Sequence, residues 1–303
     1  MDYIINTLIP IFMLIATGYF LKRIKFPSTD FWPMADKLTY YVLMPALLVY
    51  KLSNAKIDLS HTINLVGTTL LSITVVFLTL IIINVFFKFE KRAFTSIMQG
   101  GIRFNSYVFL AFVASVYGDK GLVLAAIVLA FVIPYLNILC ISTFALYVRH
   151  KDFSLKAFLM TIIKNPLIGA CAIGGLINYS NIPLPAVIFK SFGLLSHAAL
   201  PMGLLSVGVG LELKYLHEAK KELVVATIAK LFYFPSIIYA MGALLGLSGI
   251  PLSVAIIFGA MPTAVSGYIL ARELGGDVTL MASIITFQTL VCMASLFLIV
   301  PFI

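Results

Sequence analysis

Acidic residues are scarce in this chain: twelve Asp and Glu stand among 303 residues, against 21 Lys and Arg. Asp2, Asp30, Asp36, Asp58, Glu90, Asp119, Asp152, Glu212, Glu218, Glu222, Glu273 and Asp277 all fall at or near the ends of apolar runs or between them. No carboxylate is therefore expected in the middle of a run, and none offers itself as an obvious proton carrier. Cysteine is as sparse. Cys140, Cys171 and Cys292 lie far apart in apolar surroundings with no CxxC and no nearby His cluster, which points to small packed hydrophobes and away from a metal site. There is no GxxxxGK[ST] phosphate loop, so ATP-driven work would need a partner. The start of the chain lacks the basic stretch and small-residue cleavage site of a removable signal peptide, and the first helix is expected to be retained.

What is abundant is apolar surface. Hydrophobic residues make up 61% of the chain and charged ones 11%, with a mean hydropathy of +1.08, more than a water-soluble domain can hide. A hydrocarbon core of about 30 Å takes roughly 20 residues of helix to cross. Ten such runs occur, at 3–21, 34–52, 62–87, 93–116, 121–148, 157–178, 184–210, 222–247, 251–272 and 278–302. They are long and continuously apolar, unlike the short alternating segments of a barrel, so the expectation is an all-α membrane protein of ten transmembrane helices.

The net charge of +9 is a matter of topology. Odd-numbered connections carry Lys22, Arg23, Lys25, Lys88, Lys91, Arg92, Arg149, Lys151, Lys156, Lys214, Lys220, Lys221 and Arg272, whereas the other side carries only Lys51, Lys56 and Lys120. By the positive-inside rule this predicts a multi-pass protein of the cytoplasmic (inner) membrane with both termini outside the cytoplasm. With no aromatic-interleaved basic patch, the bilayer is the expected partner and nucleic acid is not.

An offset of 156 residues aligns Pro10 with Pro166, Gly18 with Gly174, Pro27 with Pro183 and Pro45 with Pro201; farther on, "NSYVFLA" from 105 resembles "SGYILA" from 266. The chain thus reads as two repeats, 1–150 and 151–303, of five helices each. Five is odd, so the second copy enters the membrane inverted, as in many secondary transporters. Binding sites in such folds lie near the midplane, where helices broken at corresponding positions meet. Here these are the fourth helix, expected to break near Gly100-Gly101, and the ninth, around Pro262, where the residues Met261 to Thr263 are expected to leave backbone groups free for a ligand. Half-helix amino termini suit an anion.

Cations do occur inside runs, at Arg103 and Lys230, with Lys37, Lys164 and Lys190 nearer ends. An embedded charge usually faces a cavity or a partner. Buried cations without buried anions suggest that the counter-charge arrives as a carboxylate on the substrate. Arg103 either contacts that substrate or snorkels and holds the broken segment; Lys230 either functions or reaches the membrane surface. Asn105 is able to satisfy freed backbone groups and to bind a ligand. Ser106, Tyr107, Pro262, Thr263 and Ser266 flank the breaks, with Tyr268 equivalent to Tyr107, and Asn137 and Gln288 are polar residues deep in the fifth and tenth helices, either site residues or interhelical contacts. Ser266 before a glycine, with His197 in another span, is the sole hint of a hydrolase, and no base within reach is established.

Taken in order, "PIFMLIATGYFLKR", "LTYYVLMPALLVYKLS", "RFNSYVFLA", "NPLIGACAIGGLIN", "AALPMGLLSVGVGLEL" and "MPTAVSGYILARELGGD" resemble the auxin efflux carrier family in its bacterial branch, over almost the whole chain. The resemblance implies a fold similar to bile-acid/sodium symporters, with helices four and nine crossing at the site. It implies a scaffold of helices one, two, six and seven, a transport part of helices three to five and eight to ten, elevator-like movement between them, and a homodimer through the scaffold. It also implies organic anions such as mono- and dicarboxylates as substrates, no enzymatic activity and no cofactor, with Asn105 and Pro262, then Arg103, Thr263, Ser266 and Asn137, as site residues. One departure is that "GGIRFNSY" has no proline at the fourth-helix break. Without paired mid-membrane carboxylates, sodium/proton exchange is not expected, and coupling to H+ or Na+ is left open. A metabolite sensor that moves nothing is the competing reading.

Overall fold

The computed structural model describes residues 2–55, 59–149, 160, 162–181, 183–217 and 221–299. Among them there is no strand; helices occupy the apolar runs. We number the helices α1 (Asp2–Arg23), α2 (31–53), α3 (Leu59–Phe87), α4 (Lys91–Ile102), α5 (106–117), α6 (119–149), α7 (Pro166–Ser180), α8 (Ala186–Val209), α9 (Lys221–Leu244), α10 (Gly249–Ala260), α11 (Ser266–Leu274) and α12 (Val278–Ile299). The boundary expected between the two halves at 150 and 151, and the basic residues Lys56, Lys151, Lys156 and Lys220, lie outside the described residues.

Five helical stretches are long and apolar enough to cross a membrane: Thr62–Phe87, Lys91–Val148, Ala186–Val209, Lys221–Leu244 and Val278–Ile299. More could span, since α1 has 22 residues where roughly 20 suffice. The 58 residues of Lys91–Val148 are far more than one crossing needs, and Gly118, at φ 56° and ψ −141°, divides them. A side chain at that φ is strained, so glycine suits the kink between α5 and α6.

Two runs are interrupted in their middles. α4 ends at Ile102, Arg103 is extended at φ −72° and ψ 158°, and α5 begins at Ser106. α10 ends at Ala260, and Met261 is extended at φ −73° and ψ 144°, the conformation that a following proline favours. The expected break at Gly100-Gly101 is thus corrected to Arg103–Asn105. Both glycines are helical and buried, and a Cβ on Gly100 would press on Ile284 at 2.8 Å and one on Gly101 on Leu80 at 2.5 Å. They let α4 pack closely and do not end it.

The closest packing forms two groups. α1, α2, α7 and α8 make one, and α3, α4, α9, α10 and α12 the other, with α5 and α6 touching both. Within the first group α1 and α8 meet backbone to backbone: a Cβ on Gly18 would strike the Leu205 carbonyl, and one on Gly208 the Ile15 carbonyl. The cysteines are buried and unpaired, as small apolar packing residues should be.

Candidate functional site

The two breaks touch. The Asn105 backbone N–H donates to the Pro262 carbonyl at 2.8 Å, and the Thr263 hydroxyl donates to the Gly100 carbonyl at 2.9 Å. Gln288 of α12 completes the joint: its Oε1 accepts from the Thr263 N–H at 3.0 Å and lies 2.7 Å from the Thr263 hydroxyl. Its Nε2 donates to the carbonyls of Gly100 at 2.9 Å and Ala226 at 3.2 Å. One N–H donor and two carbonyls around a single amide permit only this orientation. Thr263 and Gln288 are fully buried, and of the backbone groups around Pro262 expected to be free for a ligand, the Pro262 carbonyl and the Thr263 N–H are instead bonded within the protein. Buried backbone groups find partners wherever the fold supplies them.

Asn105 caps α5, its Oδ1 accepting from the Tyr107 and Val108 N–H groups at 3.0 and 3.3 Å. Arg103 turns the other way. Its guanidinium donates to Asn137 Oδ1 of α6 at 3.3 Å and to the Ser266 hydroxyl at the start of α11 at 3.2 Å. Among the described residues it has no carboxylate within ion-pair distance. Arg103 thus ties the first break to the second and to α6, while keeping an uncompensated charge near both half-helix amino termini. Phe104, between them, is buried with its ring 4.5 Å from that of Phe258, which anchors the break from behind.

In front of the joint lies a cavity of about 390 Å³. One wall comes from Asn105, Ser106 and Tyr107 of the first break and Ala264 to Ser266 of the second; the other comes from α2, α7 and α8 through Asp36, Leu167 and Ser206. Of the sequence-derived site residues, Asn105, Ser106, Tyr107 and Ser266 line it, while Arg103, Asn137, Pro262, Thr263 and Gln288 form the network behind. A second cavity, about 410 Å³, holds Tyr268, Lys22, Lys25, Glu212 and Lys214. Trp32, Pro33, Val209, Gly210 and Val265 line both, so the two adjoin, and the inner volume leads toward the end of the molecule rich in basic residues. There Lys22 pairs with Glu212 at 2.7 Å. Burial pushes the Glu212 carboxyl up, but the Lys22 hydrogen bond and charge, joined by Lys214, outweigh it and hold the group below its ordinary range.

Sequence reasoning missed Asp36. It is near the end of its apolar run, as expected, but faces the inner cavity, with the Tyr107 hydroxyl 3.5 Å from its Oδ1. Its signal was the spacing Trp32, Asp36, Tyr40, which puts an acid and two aromatics on one helical face. Lys230 is corrected too. It does not reach the surface: it is fully buried, its Nζ lacks a hydrogen-bond partner, and it lies 4.4 Å from the Phe234 ring centre and 5.2 Å from that of Phe258, a cation–π setting. His197 is exposed on α8, and the Ser266 hydroxyl accepts from Arg103, so no base is seen to activate it. Among the described residues no His/Cys/Asp/Glu group is able to hold a metal.

Comparison with known proteins agrees with this architecture. The family model described as "Membrane transport protein" matches residues 3–300. The chain is 26% identical over 290 residues to the "Uncharacterized transporter YfdV" of Escherichia coli (strain K12), covering 90% of this chain and 89% of that protein, and equally so to its counterpart in Shigella flexneri. It is 28% identical over 138 residues to the "Auxin efflux carrier component 2" of Oryza sativa subsp. japonica, covering 44% of this chain and 22% of that one. These relatives are transporters and efflux carriers, not enzymes.

Proposed function

The chain belongs to the membrane transport protein family, and from that premise we propose that it is a secondary carrier of small organic anions, mono- or dicarboxylates, bound at the joint of the two broken helices. The observation that carries the reading is the inner cavity, which both half-helix amino termini, at Ser106 and Ser266, face. Helix amino termini attract negative charge, and Arg103, without a carboxylate partner, adds to it. Asn105, Ser106, Tyr107 and Ser266 meet the substrate; Arg103, Asn137, Pro262, Thr263 and Gln288 hold the geometry.

The same proposal assigns ten crossings as two inverted repeats of five, α4–α5 and α10–α11 being the fourth helix of each. It takes α1, α2, α7 and α8 as the scaffold, through which two copies pair, and the remaining helices as the part that moves in an elevator-like cycle. The separate packing of α1, α2, α7 and α8 from α3, α4, α9, α10 and α12 supports this, as does a cavity lined by both breaks and by α2, α7 and α8. The proposal also has the basic end face the cytoplasm and both termini lie outside it, in the cytoplasmic (inner) membrane.

The test is counterflow in proteoliposomes, with unlabelled mono- and dicarboxylates inside and labelled malonate or malate outside. Saturable, preload-dependent uptake is expected, and Arg103→Ala should lower it at least about tenfold, the worth of one charge-assisted hydrogen bond. Saturable binding without counterflow from any preload would favour a sensor instead.

A further inference from the structure

The carrier reading creates an electrostatic problem at Asp36. This residue stands on α2, the wall opposite the breaks, and is exposed to the cavity. From α5 the Tyr107 hydroxyl reaches toward its Oδ1 at 3.5 Å; from α8 Ser206 lines the same space. On its own helix Tyr40 stands one turn away, and Arg103 acts on the same region from behind Ser266. Toward the mouth come Lys22, Lys25, Glu212 and Lys214, of which Lys22 and Lys214 already pair with Glu212. Among the described residues no Lys or Arg lies within ion-pair distance of Asp36. An ionised Asp36 and an anionic substrate would therefore share one cavity with no cation paired to Asp36, and like charges in one site favour protonation of one of them.

We propose that Asp36 is the proton-binding group of the transport cycle. Its carboxylate takes one proton from water in the cavity when the anion enters, an O–H bond forming on Asp36 and hydroxide remaining to the bulk. The movement then carries the anion past Asp36, and the proton returns to water on the other side as the anion leaves. Asp36 belongs to the α2 wall and Tyr107 to the breaks, so relative movement of the two groups would part them and change how readily Asp36 holds its proton. This rests on the anion-carrier reading and adds the coupling ion that the sequence left open.

Trp32 is the sole tryptophan of the chain and lines the cavity, so its fluorescence reports on binding in the purified protein. Malate would be titrated above neutral pH, where its own charge is constant. The apparent affinity should weaken about tenfold per pH unit once Asp36 ionises. Asp36→Asn, which mimics the protonated acid, should bind malate with an affinity that no longer depends on pH, and Asp36→Glu should restore the dependence. In proteoliposomes the wild type should accumulate malate when the outside is made acidic, and Asp36→Asn should keep counterflow but lose that accumulation. Counterflow with binding that ignores pH in the wild type, or an unchanged pH dependence in Asp36→Asn, overturns the proposal alone. Absence of binding and counterflow for every carboxylate overturns the anion reading and this proposal with it.

Discussion

Gln288 shows what a single residue does in a membrane protein interior. Its amide holds the Thr263 N–H and the carbonyls of Gly100 and Ala226, so three elements, α4, α9 and the second break, depend on one side chain. Removing it leaves the buried Thr263 N–H without a partner, at a cost of about 1–3 kcal/mol, while the Gly100 carbonyl keeps the Thr263 hydroxyl. Gln288→Ala should therefore lose about 1–3 kcal/mol, read as a lowered thermal midpoint in detergent, with counterflow falling in proportion to folded protein if its role is purely to hold the joint. At this scale the sequence was only half legible. Polarity inside an apolar run marked Arg103, Asn105, Asn137 and Gln288, because an embedded polar group needs a reason. Which of them line the cavity and which stand behind it depends on helix rotation, which a break resets. Asp36 escaped because nearness to a helix end looked like solvent exposure, and Lys230 because length along a helix does not tell whether neighbouring helices cover it.

At the scale of helices, close contact is set by the smallest side chains. α1 and α8 approach until Gly18 lies on the Leu205 carbonyl and Gly208 on the Ile15 carbonyl, since small residues let backbones meet where no hydrophobic force pulls helices together in lipid. Gly208→Val forces these axes apart and should destabilise by about 1–3 kcal/mol, as overpacking does. Gly175→Ala on α7, which faces open space, should be neutral or stabilising by up to about 1 kcal/mol, since Ala is the better helix former. Thermal unfolding of the two variants side by side separates packing from propensity, and equal loss in both would refute the role given to the contact. The helices themselves were legible as long apolar runs, and the second break as proline. The first break was misplaced by three residues, because glycines read as breakers where they serve close packing and Asn105 supplies the new start by capping.

Over the whole molecule the question is whether the two packing groups move. Gly210 follows α8 and Val265 precedes α11; a Cβ on Gly210 would lie 2.7 and 3.3 Å from the two γ carbons of Val265. A cysteine sulfur replacing a γ carbon at 265 would therefore stand where a sulfur–sulfur bond of about 2.05 Å to a cysteine at 210 can close. The three native cysteines are buried and should not compete. Oxidation of the Gly210→Cys/Val265→Cys double variant should abolish malate counterflow, reduction should restore it, and each single variant should be indifferent to both treatments. A crosslinked protein that still exchanges substrate at the wild-type rate would mean that these segments keep their places throughout the cycle. The moving boundary would then have to lie elsewhere, and the elevator reading would fail. Loss of exchange on oxidation alone would place that boundary between α8 and α11, beside the cavity in which Asp36 and the two helix breaks face one another.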